Sequence, residues 1–314
     1  MSFKELMPCH PEPDAAAVLT ANGPGSMFPG VASTHAATAR PQEDSMARVN
    51  ALVITGYGTN CEQESAYAVR QAGADEARIV YFSDIAAGRV RIEDYNYLIF
   101  PGGFLDGDDL GAAHAAAVRW RHATSADGGP LLEQLRAFLD KGGLVLGICN
   151  GFQLLVKLGL LPASRGEYFV KEVSLSNNDS ARFEDRWVWL KANPASPCVF
   201  TKGLDRLYLP VRHGEGKIIP KSQEMLDDIV KKQLVALQYC HPETGQPTQE
   251  YPYNPNGAPL AIAGLTDPTG RILGLMPHPE AFNHPTNHPG WTRGEQAVLG
   301  LTLLEGGVRH LRAQ

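Results

Sequence analysis

The 314-residue sequence has no run of Lys and Arg, and its formal net charge is −6. Nucleic acid and acidic membrane surfaces are poor partners for such a chain, because both are held through clustered cations. No apolar run approaches the ~20 residues of a membrane span. The basic start and long apolar core of a secretion signal are missing too. The five cysteines, Cys9, Cys61, Cys149, Cys198 and Cys240, are odd in number, widely spread and include no C-x-x-C pair. That usage points to the reducing cytoplasm and away from a disulfide framework or a zinc motif. A G-x-x-x-x-G-K-[ST] phosphate loop is also absent, so the chain has no such site for ATP.

What the chain does have is 43% hydrophobic residues, enough for one large or two small domains. Residues 1–45 are rich in Ala, Pro and Gly and lack periodicity, so a disordered extension is expected there. Met46 stands just before the first credible strand, and both readings, a real flexible tail and a start at Met46, stay open. The domain is expected over 46–314.

The most informative stretch is Gly143-Leu-Val-Leu-Gly-Ile-Cys-Asn-Gly-Phe-Gln-Leu-Leu155. An apolar run of strand length meets Cys149, and apolar residues at helical spacing follow. Gly147 and Gly151 flank the cysteine at i−2 and i+2, the G-x-C-x-G spacing of a nucleophile elbow. The first turn of a helix surrounds a sulfur with free backbone N–H groups, an arrangement that lowers thiol pKa values. The plain alternative is a small buried cysteine at a strand end.

Before the elbow, strands are predicted over Asn50–Thr55, Arg78–Phe82 and Tyr97–Phe100, with helices over Glu62–Gln71, capped by Thr59 or Asn60, and Leu131–Leu139. Strands separated by helices predict an α/β fold with a parallel sheet. After Tyr168 the pattern becomes short strands: Tyr168–Leu175, Trp187–Lys191, Arg206–Val211, Leu234–Tyr239, Leu260–Leu265 and Ile272–Met276. A mixed or antiparallel C-terminal sheet packed on the parallel one is expected, with a helical insert at Lys221–Lys232 and a closing helix at Trp291–Leu304.

A nucleophilic thiolate needs a base, and the base needs an orienting group. An apolar strand ends at Pro277-His278-Pro279-Glu280, and Glu280 at i+2 lies on the same side of an extended chain as His278. His241-Pro242-Glu243 repeats the tripeptide, but Thr244-Gly245-Gln246-Pro247 after it reads as a polar hairpin tip. Context favours His278; spacing does not separate the two. For the oxyanion, the Asn150 amide and an amide of the Gly102-Gly103-Phe104 loop are the natural donors.

These stretches, Gly-Ile-Cys-Asn-Gly-Phe-Gln at 147–153, Pro-Gly-Gly-Phe at 101–104 and Met-Pro-His-Pro-Glu at 276–280, resemble the class I glutamine amidotransferases. Asn-Gly-Phe-Gln after the cysteine narrows the resemblance to the glutaminases of phosphoribosylformylglycinamidine synthase. Gly58-Thr-Asn-Cys-Glu62, Arg182-Phe-Glu184, His213-Gly-Glu-Gly216 and Asn254-Pro-Asn-Gly257 extend it over nearly everything after Met46, the last being more similar to the fused form of the enzyme.

The resemblance implies a flavodoxin-like sheet with the elbow, a Cys149, His278 and Glu280 triad, and an oxyanion hole from the Gly103 region and Asn150. It implies that Gln153 helps hold L-glutamine, and it selects His278 over His241. No cofactor or metal is implied in this chain. Ammonia is implied to pass to a separate synthase subunit that uses ATP and Mg with formylglycinamide ribonucleotide, with room for a small accessory subunit, as a step of purine biosynthesis. The rivals are an amidotransferase of the same class serving another acceptor, a cysteine hydrolase of the wider elbow group, and a non-catalytic elbow-fold binding module. Three departures, Ala281 for Arg, Leu105-Asp106 for Ser-Tyr and Tyr57 for Pro, are expected at the mouth of the site.

Overall fold

The computed structural model describes residues 47–126 and 129–314. The expected extension over 1–45 and the alternative start at Met46 lie outside the described residues.

Residues that read as continuous apolar runs become strands buried on both faces, as parallel strands must be. The first half supplies β1 (Asn50–Thr55), α1 (Glu62–Gln71), β2 (Glu76–Tyr81), the short α2 (Phe82–Ala86), β3 (Tyr97–Phe100), α3 (His114–His122), α4 (Leu131–Asp140), β4 (Leu144–Ile148) and α5 (Asn150–Leu158). Of its strands, β1, β3 and β4 follow this rule, while the edge strand β2 alternates between buried and exposed residues. The second half supplies β5 (Val173–Asn177), β6 (Glu184–Ala192), β7 (Arg206–His213), β8 (Glu215–Pro220), α6 (Gln223–Lys231), β9 (Val235–Tyr239), β10 (Ile262–Thr266), β11 (Ile272–Leu275) and α7 (Leu301–Arg312).

One nine-stranded sheet runs β2-β1-β3-β4-β11-β10-β9-β6-β7. Its first five strands pair parallel, and their order is the flavodoxin-like 2-1-3-4-5 pattern with β11 in fifth place. The remaining pairings are antiparallel. The C-terminal antiparallel strands therefore extend the parallel sheet edge to edge, where stacking upon it was expected. A separate ribbon pairs β5 with β8.

Helices cover the sheet through apolar stripes, such as Leu131, Leu135, Phe138 and Leu139 on α4. Trp120 of α3 is wedged between Phe82 and Phe100, with ring centroids 5.1 and 5.6 Å away. α5 is buried along almost its whole length. It lies so close to β3 that a Cβ on Gly151 would stand 1.9 Å from the Phe100 carbonyl oxygen. Only glycine fits there.

Several local expectations shift. Val173–Asn177 is strand, but 168–172 is loop, where the Glu172 carboxylate accepts from the Ser164 N–H at 2.7 Å. The N-cap of α1 is Cys61, with no side-chain cap, in place of Thr59 or Asn60. The closing helix starts ten residues later than expected. A turn of 3-10 helix at Trp291–Arg293 ends at Gly294 in the left-handed region, and the Gly300 N–H is held by the Phe282 carbonyl at 2.8 Å. Backbone docking there prevails over the apolar periodicity. α3 and β8 carry weak periodicity and were not expected.

No helix among the described residues is long and apolar enough to cross a membrane.

Candidate active site

Four parallel strands deliver residues to one point at their carboxyl ends, the binding edge of open α/β sheets. β1 leads to Cys61, β3 to Gly102 and Gly103, β4 to Cys149, and β11 to His278. The residue between β4 and α5 has φ 50° and ψ −102°, a strained conformation for a side chain with a Cβ. That residue is Cys149. The strand-turn-helix of the elbow is thus present in full.

His278 is 2% exposed and its Nδ1 lies 2.6 Å from Oε1 of Glu280, itself 1% exposed. Pro279–Ala281 forms a 3-10 turn, so the carboxylate reaches the ring by curling back, where an extended chain was expected. Burial opposes a charge on the imidazole, but the Glu280 carboxylate and hydrogen bonding with Cys149, Cys61 and Glu280 outweigh it and hold the pKa well above the ordinary histidine range. The other ring nitrogen, Nε2, is enclosed and turned away from Glu280.

The far edge of the sheet returns to this point. The Cys149 Sγ lies 3.5 Å from the Arg212 carbonyl oxygen, and the His278 N–H donates to the Pro210 oxygen at 2.8 Å. Both oxygens belong to β7. At the same strand end, His213 donates from Nδ1 to the Asn178 Oδ1 at 3.0 Å. Burial, then the nearby His278, lower its pKa to about 3.

The loop after β3 is clamped from both sides. The Leu105 N–H donates to the Asn150 Oδ1 at 3.1 Å, and the Phe104 N–H to the Gly58 oxygen at 2.7 Å. Phe104 is thereby removed as an oxyanion donor, and the Gly103 and Asn150 amides remain. The Asn150 N–H sits in the first turn of α5, where no helical acceptor exists. Gly102 admits the imidazole: a Cβ there would stand 2.7 Å from His278 Cε1.

Cys149, His278, Gly103, Phe104 and Gln153 line a cavity of about 440 Å³, joined by Asn60, Cys61, Asp108, Arg182, Arg212, His213 and Glu215. Its wall carries both signs of charge. Burial and then Glu215 raise the Asp108 carboxyl. Gln153 reaches the cavity, but its Nε2 donates to the Glu215 oxygen at 2.6 Å and its Oε1 accepts from Asn150 at 3.1 Å. Its amide fastens α5 to β8.

His241 lies away from the cavity, at the hairpin turn closed by the Cys240–Pro247 bridge, with its ring against Tyr253. Cys61, Asp108, Arg212, His213 and Glu215 had no assigned role in the sequence reading. The signal was present for Cys61, His213 and Glu215, as short motifs without periodicity. Of the departures, Tyr57 is 85% exposed, whereas Leu105 is buried and does not belong to the mouth.

Residues 48–307 match the CobB/CobQ-like glutamine amidotransferase domain. The chain is 42% identical over 246 residues to the phosphoribosylformylglycinamidine synthase subunit PurQ of Dehalococcoides mccartyi, covering 78% of this chain and 90% of that one. It is 43% identical over 238 residues to the PurQ subunit of Methanococcus maripaludis strain C5, covering 76% and 85%. A chain in the solved structure of PurLQS from Thermotoga maritima superposes with a TM-score of 0.59 at 25% identity, over 84% of this chain and 99% of that one. The chain therefore belongs to the CobB/CobQ-like glutamine amidotransferases and, among them, to the PurQ subunits of phosphoribosylformylglycinamidine synthase.

Proposed function

We propose that Cys149, His278 and Glu280 are the nucleophile, base and orienting carboxylate with which this glutamine amidotransferase hydrolyses L-glutamine. The observation that carries the reading is the buried 2.6 Å His278–Glu280 contact beside a cysteine on a strained elbow, all opening on one cavity.

The sulfur attacks the side-chain carboxamide carbon, and its proton passes through His278 Nε2 to the departing nitrogen. Ammonia leaves and a glutamyl thioester remains. Water, deprotonated by the same imidazole, then attacks the thioester, glutamate leaves, and the thiol regains its proton. Glu280 holds the imidazole in orientation throughout. The Gly103 and Asn150 amides face the oxygen on which negative charge develops. Gln153 acts by fixing the cavity wall and meets the substrate there.

The amidotransferase domain is assigned to 46–314. The ammonia serves a synthase subunit that uses ATP and Mg, with an accessory subunit in the same assembly, in the cytoplasm. The PurLQS structure of Thermotoga maritima supports such partners.

A diazo-ketone analogue of glutamine tests the reading. It is expected to inactivate the chain with one label, on Cys149. Labelling on Cys61 would displace the nucleophile and overturn the assignment.

A further inference from the structure

Among the described residues, one group of three His, Cys, Asp or Glu side chains brings its ligand atoms within 4.8 Å of one another: Cys61, His278 and Glu280, all buried. The nitrogen that faces the carboxylate is His278 Nδ1, 2.6 Å from Glu280 Oε1, and the other carboxylate oxygen, Oε2, is enclosed without a partner among the described residues. The Cys61 Sγ lies 3.3 Å from the Asn60 Oδ1 and also meets the His278 ring. Cys61 and His278 both line the cavity, so an ion has a way in.

We propose that Cys61, His278 and Glu280 form a site for a zinc-type divalent cation, and that an ion held there stops glutamine hydrolysis. One sulfur, one imidazole nitrogen and one carboxylate oxygen are the donor set zinc takes, whereas Mg and Ca favour oxygen alone. Zn–S near ~2.3 Å and Zn–N near ~2.0 Å place tetrahedral neighbours about 3.5 Å apart. The group closes on an ion by side-chain movement of roughly an ångström. The fourth position is left to water or a ligand from the cavity, and each bound thiol gives up its proton. An ion on the imidazole and carboxylate takes the base and its orienting group away from Cys149. The inhibitory half rests on the proposed catalytic roles; the binding half does not. Cys61 is separated from the other two by most of the chain, so the absence of a C-x-x-C motif said nothing about this group.

The test uses the whole chain, reduced with a phosphine and stripped by a chelator, then titrated with Zn²⁺ alone or with Co²⁺ as its coloured substitute. One ion per chain is expected, with a thiolate-to-cobalt charge-transfer band that persists in Cys149→Ser and disappears in Cys61→Ser. Zn²⁺ should stop glutamine hydrolysis reversibly, and Cys61→Ser should need at least about tenfold more Zn²⁺ for the same inhibition. Because Cys61→Ser could misfold, the unmutated chain supplies a second readout: Zn²⁺ should protect Cys61 from alkylation, followed by peptide mass spectrometry. A band lost in Cys149→Ser and kept in Cys61→Ser, or equal alkylation of Cys61 with and without Zn²⁺, would overturn the site. Zn²⁺ bound at Cys61 with hydrolysis undiminished would overturn the inhibitory half, and labelling of Cys149 by the diazo-ketone tests the catalytic reading separately.

Discussion

His278 Nδ1 and Glu280 Oε1 stand 2.6 Å apart across a single 3-10 turn. Pro279 begins that turn, and its fixed φ preorganises the curl that brings the carboxylate back to the ring. The tripeptide at His241 lacks this outcome. There the His241 Nδ1 accepts from the Glu243 N–H at 3.3 Å, and no carboxylate of the described residues is paired with the ring.

His278→Ala should lower glutamine hydrolysis by at least ~10²-fold, whereas His241→Ala should stay near the parent, as surface changes usually do. Glu280→Gln should fall between, because it orients the imidazole without moving a proton. Steady-state kinetics on the three variants settles the order; a reversed order of the two histidine variants overturns the assignment.

Cys149→Ser should lose hydrolysis by ~10³-fold or more while keeping the parent's circular dichroism and unfolding midpoint. An alcohol of far higher pKa cannot supply the nucleophile. Glutamate release near the parent rate would refute this.

Gly151→Ala should destabilise the fold by about 3 kcal/mol or more, since its Cβ would stand 1.9 Å from the Phe100 oxygen on a central strand. Gly214→Ala meets nothing nearer than Phe183 Cδ2 at 3.9 Å and should cost less than about 1 kcal/mol. Urea unfolding of the pair measures the contrast.

Acid should weaken the fold through His213. Its folded pKa of about 3 lies below the ~6.5 of an unfolded histidine, so between those values the unfolded chain binds the extra proton. Stability is then lost as pH falls from ~6.5 towards 3, by up to about 3 kcal/mol at pH 4. In His213→Gln the decline of Tm over that window should be shallower than in the parent. Parallel declines would exclude the histidine as a cause.

The isolated chain should hydrolyse glutamine slowly, and the synthase partner with acceptor and ATP should raise the rate at least ~10-fold, a coupling of about 1.4 kcal/mol. Leu110, 74% exposed on the loop after β3, is a candidate contact. Leu110→Asp should weaken the stimulation and spare the slow basal rate. Full turnover without the partner would refute the coupling.

The sequence alone determined β1, β3, α1 and the elbow, because apolar runs and helical spacing act over a few residues and the structure keeps their bounds nearly unchanged. Gly147 and Gly151 marked the turn for the same local reason. Tertiary structure decided the rest. The antiparallel strands joined the parallel sheet at its edge because β11, which forms a hairpin with β10, pairs with the distant β4, a long-range choice that no local pattern encodes. That continuation returned the end of β7 to Cys149, where Arg212 and His213 meet the cavity. Packing of the β1–α1 loop across the loop after β3, through Asn60 N–H to the Gly102 oxygen at 3.4 Å, set Cys61 beside His278. Such contacts join residues far apart in the chain, and only the burial of the shared core fixes them.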